Sequence, residues 1–136
     1  MYYEVTSKRV VVDPKGNDKE ISERFIVVNC ELFGEAEMKT LQEYNGENDV
    51  VAIKQSKIRE FVNEKNEEQD EHIYLATIVS IFVDESTGAE KETKYVIGLW
   101  ATSTENATKI AVDYMSQGLS DLVLVGIKRT NFVDII

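Results

Sequence analysis

His72, Cys30 and the paired carboxylates are the residues of this chain whose types could do chemistry, and each reads more simply as structure. His72 is the only histidine, so a multi-histidine zinc site is excluded and only Cys30 and carboxylates remain as strong ligands. It borders an acidic stretch, where a solvated side chain is expected. Cys30 ends an apolar run and has no base near it in sequence, so it reads as a small buried hydrophobe rather than a catalytic thiol. Glu35 and Glu105 open helical segments, where a carboxylate complements the positive end of the macrodipole. Glu67, Glu68, Asp70 and Glu71 lack the alternating spacing and the glycine of a calcium loop. There is no phosphate-binding glycine loop, no dinucleotide-binding glycine run, no Gly-x-Ser-x-Gly and no Cys-x-x-Cys. Neither an enzyme activity, a metal nor a cofactor is expected.

The basic residues offer a different chemistry. Lys54, Lys57 and Arg59 fall on one apolar closing segment, Lys128 and Arg129 on another, and Lys8 and Arg9 on an opening segment. Gathered on one sheet face with Tyr2, Tyr3 or Phe132, they would make the basic, aromatic groove that binds single-stranded nucleic acid. The plainer reading is that strand lysines and arginines guard sheet edges against pairing with other chains. The formal net charge of −10 opposes non-specific duplex binding, which depends on neutralising phosphates. An acidic decoy of nucleic acid is disfavoured, because much of the acidity lies in one linker rather than in a patterned array.

The elements that must position these residues form an internal repeat. Tyr3, Thr6, Val12 and Asp13 meet Tyr74, Thr77, Val83 and Asp84 at an offset of 71; Glu35, Lys39 and Tyr44 meet Glu105, Lys109 and Tyr114 at 70. At an offset of 74, Ile53 to Val62 faces Ile127 to Ile136, sharing the pattern Ile-Lys-polar-hydroxyl-x-apolar-x-acid-apolar-apolar. Each copy reads as hairpin, helix and strand. Pro14 with Gly16, and Gly88, supply the hairpin turns. Returning strands run from Arg24 to Cys30 and from Lys94 to Trp100, with Cys30 and Trp100 at equivalent packing positions. The second helix opens on a Thr102–Glu105 capping box and carries an apolar stripe of Ala107, Ile110, Ala111 and Tyr114. The first, from about Glu35 to Tyr44, has Gly34 in place of the capping hydroxyl and a thinner stripe of Phe33, Leu41 and Tyr44. Asn45-Gly46 and Gln117-Gly118 end the helices, and closing strands start at Val50 and Leu122.

The expected fold is α+β: tandem ββαβ units, mainly antiparallel, related by a pseudo-twofold. At 136 residues the chain reads as a single domain (1–136) of two repeats, 1–62 and 73–136, joined by an acidic linker, 63–72. The linker holds five carboxylates, one lysine and no aliphatic residue, so it should be solvated. One repeat of roughly 60 residues buries too little surface to be comfortable alone.

The Ile-Lys block, Glu35-Ala36-Glu37 and the hairpin sequence from Asp84 to Lys91 together resemble a family of short proteins of unknown function from gut Bacteroidota and their tailed phages. The resemblance covers nearly the whole chain. It implies a phage or mobile-element setting and no known activity, and it carries no functional residue over.

No apolar run approaches a membrane span, the first residues are not those of a signal peptide, and a single Cys forms no internal disulfide. The expectation is therefore a cytoplasmic protein (host-cell cytoplasm if phage-encoded) with no membrane partner. Its expected role is a non-enzymatic protein-binding or assembly module whose candidate partners include its own copies. The alternative is a single-stranded nucleic-acid-binding accessory protein of phage replication, using Lys54, Lys57, Arg59, Lys128 and Arg129. The apolar end, Phe132 to Ile136, must be tied into the sheet or buried against a partner.

Overall fold

The computed structural model describes residues 1–118 and 121–136. The fold is α+β, with ten elements in chain order: β1 (Tyr3–Val12), β2 (Asp18–Val27), α1 (Phe33–Glu43), β3 (Asp49–Gln55), β4 (Ile58–Phe61), β5 (His72–Val83), β6 (Glu90–Ala101), α2 (Thr104–Ser116), β7 (Asp121–Arg129) and β8 (Phe132–Ile135). Among the described residues the strands form two four-stranded sheets, ordered β3-β1-β2-β8 and β4-β6-β5-β7. The chain accordingly divides into unit 1, Met1–Ser56 with Phe132–Ile136, and unit 2, Lys57–Asn131.

The hairpins form for the reasons written in their turns. Asp13 accepts from the Lys15 and Asn17 N–H groups, both at 2.9 Å, and Gly16 takes the left-handed φ of 81° that the loop demands. Asp84 works the same way: it pairs with Lys91 at 2.8 Å and accepts from the Ser86 hydroxyl at 2.6 Å and N–H at 2.9 Å, which together hold its carboxyl down at about 2. The returning strands start earlier than expected, at Asp18 and Glu90, and Cys30 lies beyond β2 rather than on it. Polar strand residues pair fully in a hairpin whose ladder is set from the turn, so low β-propensity does not shorten it.

Each sheet carries its helix on one face. In unit 2 the core beneath α2 comprises Tyr74, Ala76 and Ile78 of β5, Ile97 and Leu99 of β6, and the helix residues Ala107 and Ala111. In unit 1 Tyr3, Val5, Phe25, Val27 and Cys30 pack with Ala36 of α1. Buried helix positions thus correspond at 71, Ala36 with Ala107 and Thr40 with Ala111, one residue from the spacing read from the charged and tyrosine positions. Cys30 and Trp100 are not equivalents. Cys30 packs in the helix-side cluster, while Trp100 pairs with Ile73 and points away from the face that carries Leu99. The α2 cap is also one residue displaced: Ser103 Oγ accepts from the Asn106 N–H at 3.1 Å, and Asn106 Oδ1 accepts from the Thr102 N–H at 3.0 Å. The Ser103 side chain caps the helix as an N-cap serine should, while the Asn106 side chain reaches one residue further back than the N-cap N–H of a capping box, to Thr102. The N-cap of α1, Leu32, has no side-chain cap.

The closing segments depart most from expectation. Each is two strands, broken at Ser56–Lys57 and at Thr130–Asn131. Ser56 N–H donates to the Tyr2 carbonyl at 2.8 Å, and Thr130 donates through its N–H (3.0 Å) and hydroxyl (2.8 Å) to the Ile73 carbonyl. Beyond the break, β4 runs parallel to β6, with Ile58 opposite Val96 and Phe61 opposite Gly98. β8 runs parallel to β2, with Phe132 opposite Arg24. A strand of the first repeat therefore belongs to unit 2, and a strand of the second to unit 1. Lys57 lies in a break and Arg59 on β4, so neither shares a strand with Lys54. The tail is tied into unit 1, where Ile136 N–H donates to the Ile26 carbonyl at 2.8 Å.

Candidate binding surfaces of unit 2

On the helix side of unit 2 lies a cleft of about 670 Å³, lined by Arg59, Glu60, Ser80, Thr93, Tyr95 and Tyr114 among others. The Tyr114 hydroxyl donates to the Glu60 carboxylate. That hydrogen bond, reinforced by burial, raises the phenol to about 12. Tyr114 therefore keeps its proton throughout the neutral range and supplies a donor and a ring face, not a base. The Arg59 guanidinium lies over the Tyr95 ring, 4.6 Å from its centroid, within the reach of a cation–π contact.

Unit 1 fills the corresponding place. Arg9 lies 4.3 Å over the Tyr44 ring and donates from Nε to Glu23 Oε1 at 2.6 Å, and the Tyr44 hydroxyl reaches both Glu23 oxygens at 3.0 Å. Burial and then the Glu23 bond raise Tyr44, while the bond to Glu23 raises Arg9. Arg9 stands opposite Ile21, and Ser80 opposite Thr93 in the same relation to its hairpin. Unit 2 thus has two smaller side chains where unit 1 has Arg9 and Ile21. The sequence showed the two helical tyrosines, but their carboxylates come from different strands, β2 and β4, and share no motif.

The opposite face of the unit 2 sheet carries valines. Along β7, Leu122, Leu124 and Ile127 pack toward α2, whereas Val123 is 44% exposed and Val125 53%. Val123 stands opposite Val79, and at the end of β5 Val83 is 62% exposed. Val125 sits in a β-bulge where the register shifts between Thr77 and Ile78. Val51 of β3 occupies the equivalent bulge in unit 1, between Thr6 and Ser7. A bulge twists an outer strand away from regular pairing, so both outer strands are blunted against edge-on addition.

The basic residues are dispersed. Lys54 lies 3.8 Å from Glu4, which also pairs with Arg24 at 3.0 Å, and Arg24 lies 4.2 Å over the Phe132 ring, making a ladder across the unit 1 sheet. Lys8 lies 3.7 Å from Glu20. In unit 2, Arg59 is on β4 and Lys128 and Arg129 are on β7, the two outer strands of the order β4-β6-β5-β7. Three strand spacings, about 14 Å, separate those strands.

Cys30 is buried, with its sulfur 3.4 Å from the Val28 carbonyl oxygen. His72 Nε2 is 3.5 Å from Asp70. Glu35 accepts from the Glu31 N–H at 3.4 Å, and Glu105 is 3.7 Å from Lys109. Among the described residues, no group of three or more His, Cys, Asp or Glu side chains could hold a metal ion, and no helix is long and apolar enough to cross a membrane.

Comparison with known proteins finds one family model, Domain of unknown function (DUF4494), matching residues 1–136. No curated protein matches, and no solved structure matches.

Proposed function

We propose that the chain, which belongs to this family of unknown function, is a non-enzymatic protein-binding module that docks a partner on the helix-free face of unit 2. The observation that carries the reading is the double-sided apolar character of β7. A strand that is apolar on both faces is normally covered on both. Here Leu122 and Leu124 are covered by α2, while Val123 and Val125 remain half exposed, with Val83 beyond them. Contiguous exposed apolar surface of this kind marks interaction sites more often than it marks idle surface. A phage or mobile-element setting accords with the family resemblance, and a cytoplasmic location with a chain that has a single Cys.

The test compares the wild-type chain with Val123→Lys/Val125→Lys, in sedimentation velocity and as immobilised baits. The expected result is a partner, another protein or a second copy, retained by the wild type and lost from the variant at equal thermal stability. Identical behaviour of the two baits, with both chains monomeric, would overturn the reading.

A further inference from the structure

We infer that two copies of the chain can exchange halves, residues 1–62 of each completing residues 73–136 of the other, with the acidic loop as the hinge. The inference is independent of the valine face. It rests on which strand completes which sheet: β4 completes the β6 side of unit 2, and β8 completes the β2 side of unit 1. Residues 1–62 and 73–136 are thus two pieces, each donating a parallel strand to the other, and one loop makes them a single chain.

That loop is locally organised. The Asn66 N–H donates to Glu71 at 2.5 Å, the Glu68 N–H to the Asn66 side chain at 3.0 Å, and the Gln69 N–H to the Asn66 carbonyl at 3.2 Å. Lys65 pairs with Glu67 at 3.8 Å and lies 5.4 Å over the Trp100 ring. Firm attachment begins at Asn63, which donates to the Trp100 carbonyl and accepts from the Trp100 N–H, both at 2.8 Å. On the other side of β6, Ile73 pairs with the same Trp100. The loop therefore bridges two strand spacings, about 10 Å, with nine residues from Glu64 to His72 that span roughly 30 Å when extended. Its five carboxylates against one lysine repel one another and favour extension.

The occupant is a second copy because the grooves are specific to this chain. Phe61 fits against Gly98, where a Cβ would meet the ring at 2.5 Å. Phe132 is buried beneath Arg24. Exchange reforms each of these contacts unchanged, so only the loop and the entropy of association distinguish open from closed forms. Interconversion must break both donated strands and is therefore slow.

Deleting Glu64–Glu71 joins Asn63 directly to His72. Two Cα–Cα links then separate Asn63 from Ile73, reaching at most about 7 Å, short of the gap. The expected product is a cooperatively folded dimer, doubling the mass in light scattering. It should persist on dilution and survive Val123→Lys/Val125→Lys, which removes any dimer made through the valine face. A folded monomer, an unfolded chain, or a dimer abolished by the valine substitutions would each overturn the inference. As a second measurement, unfolded wild-type chain is refolded at high and at low concentration. Exchange predicts a slowly dissociating dimer from the concentrated sample only, and equal monomer yields from both overturn it.

Discussion

Phe61 of β4 lies against Gly98 of β6 so closely that a Cβ at position 98 would stand 2.5 to 2.8 Å from three of its ring atoms. The glycine is needed here for close approach rather than for a left-handed φ. Gly98→Ala should push the ring out and loosen β4, costing about 1–3 kcal/mol, as overpacking does. Phe61→Ala leaves a gap instead. The double variant should be less damaged than the sum of the two, and a double-mutant cycle in chemical denaturation measures that coupling. Additivity of the two losses would show that the ring and the glycine do not share one packing site.

The hairpins, both helices and the acidic loop were legible because each is written locally: Asp13 and Asp84 with their glycines, Ala107 and Ala111 at helical spacing, and five carboxylates without an aliphatic residue. The breaks at Ser56–Lys57 and Thr130–Asn131 were not. A two-residue step preserves strand alternation, so a continuous strand and two strands in different sheets present nearly the same pattern. The repeat itself was the available clue, since Ser56 and Thr130 recur at 74 and both donate to a carbonyl at the start of the opening segment, Tyr2 and Ile73. The valine face was legible in principle, because Asp121 to Arg129 is apolar at both even and odd positions through its middle. The Glu60–Tyr114 and Glu23–Tyr44 pairs were not, since each joins residues far apart in sequence.

Tyr114 should titrate near 12 in a spectrophotometric phenol titration, and Glu60→Gln should bring it back toward the ordinary value of 10. Because the folded-state value is raised, the folded chain holds this proton more tightly than the unfolded chain. The resulting stability is present below about 10 and lost as pH rises through 12. The alkaline limb of the stability profile should therefore flatten in Glu60→Gln. An unchanged phenol titration in that variant would assign the shift to burial instead.

Phe132 is 7% exposed on a four-residue strand, and Ile136 packs against the unit 1 core. Phe132→Ala should cost about 3–5 kcal/mol. Removing Phe132 to Ile136 entirely strips β2 of its parallel partner and should abolish the cooperative thermal transition of the chain. A melting curve unchanged by either alteration would mean that β8 contributes nothing to the unit 1 sheet.

Lys54 shares Glu4 with Arg24, and Lys128 lies at the far outer strand from Arg59. A groove that tracks a phosphate backbone needs its cations unneutralised and in line. A labelled single-stranded oligonucleotide titrated with the protein at about 50 mM salt should show no saturable anisotropy change, and Lys54→Glu/Lys128→Glu should alter nothing. Binding that weakens steeply between about 50 and 200 mM salt, and that disappears in the double variant, would reverse this expectation. It would make the five basic positions a nucleic-acid surface despite their separation.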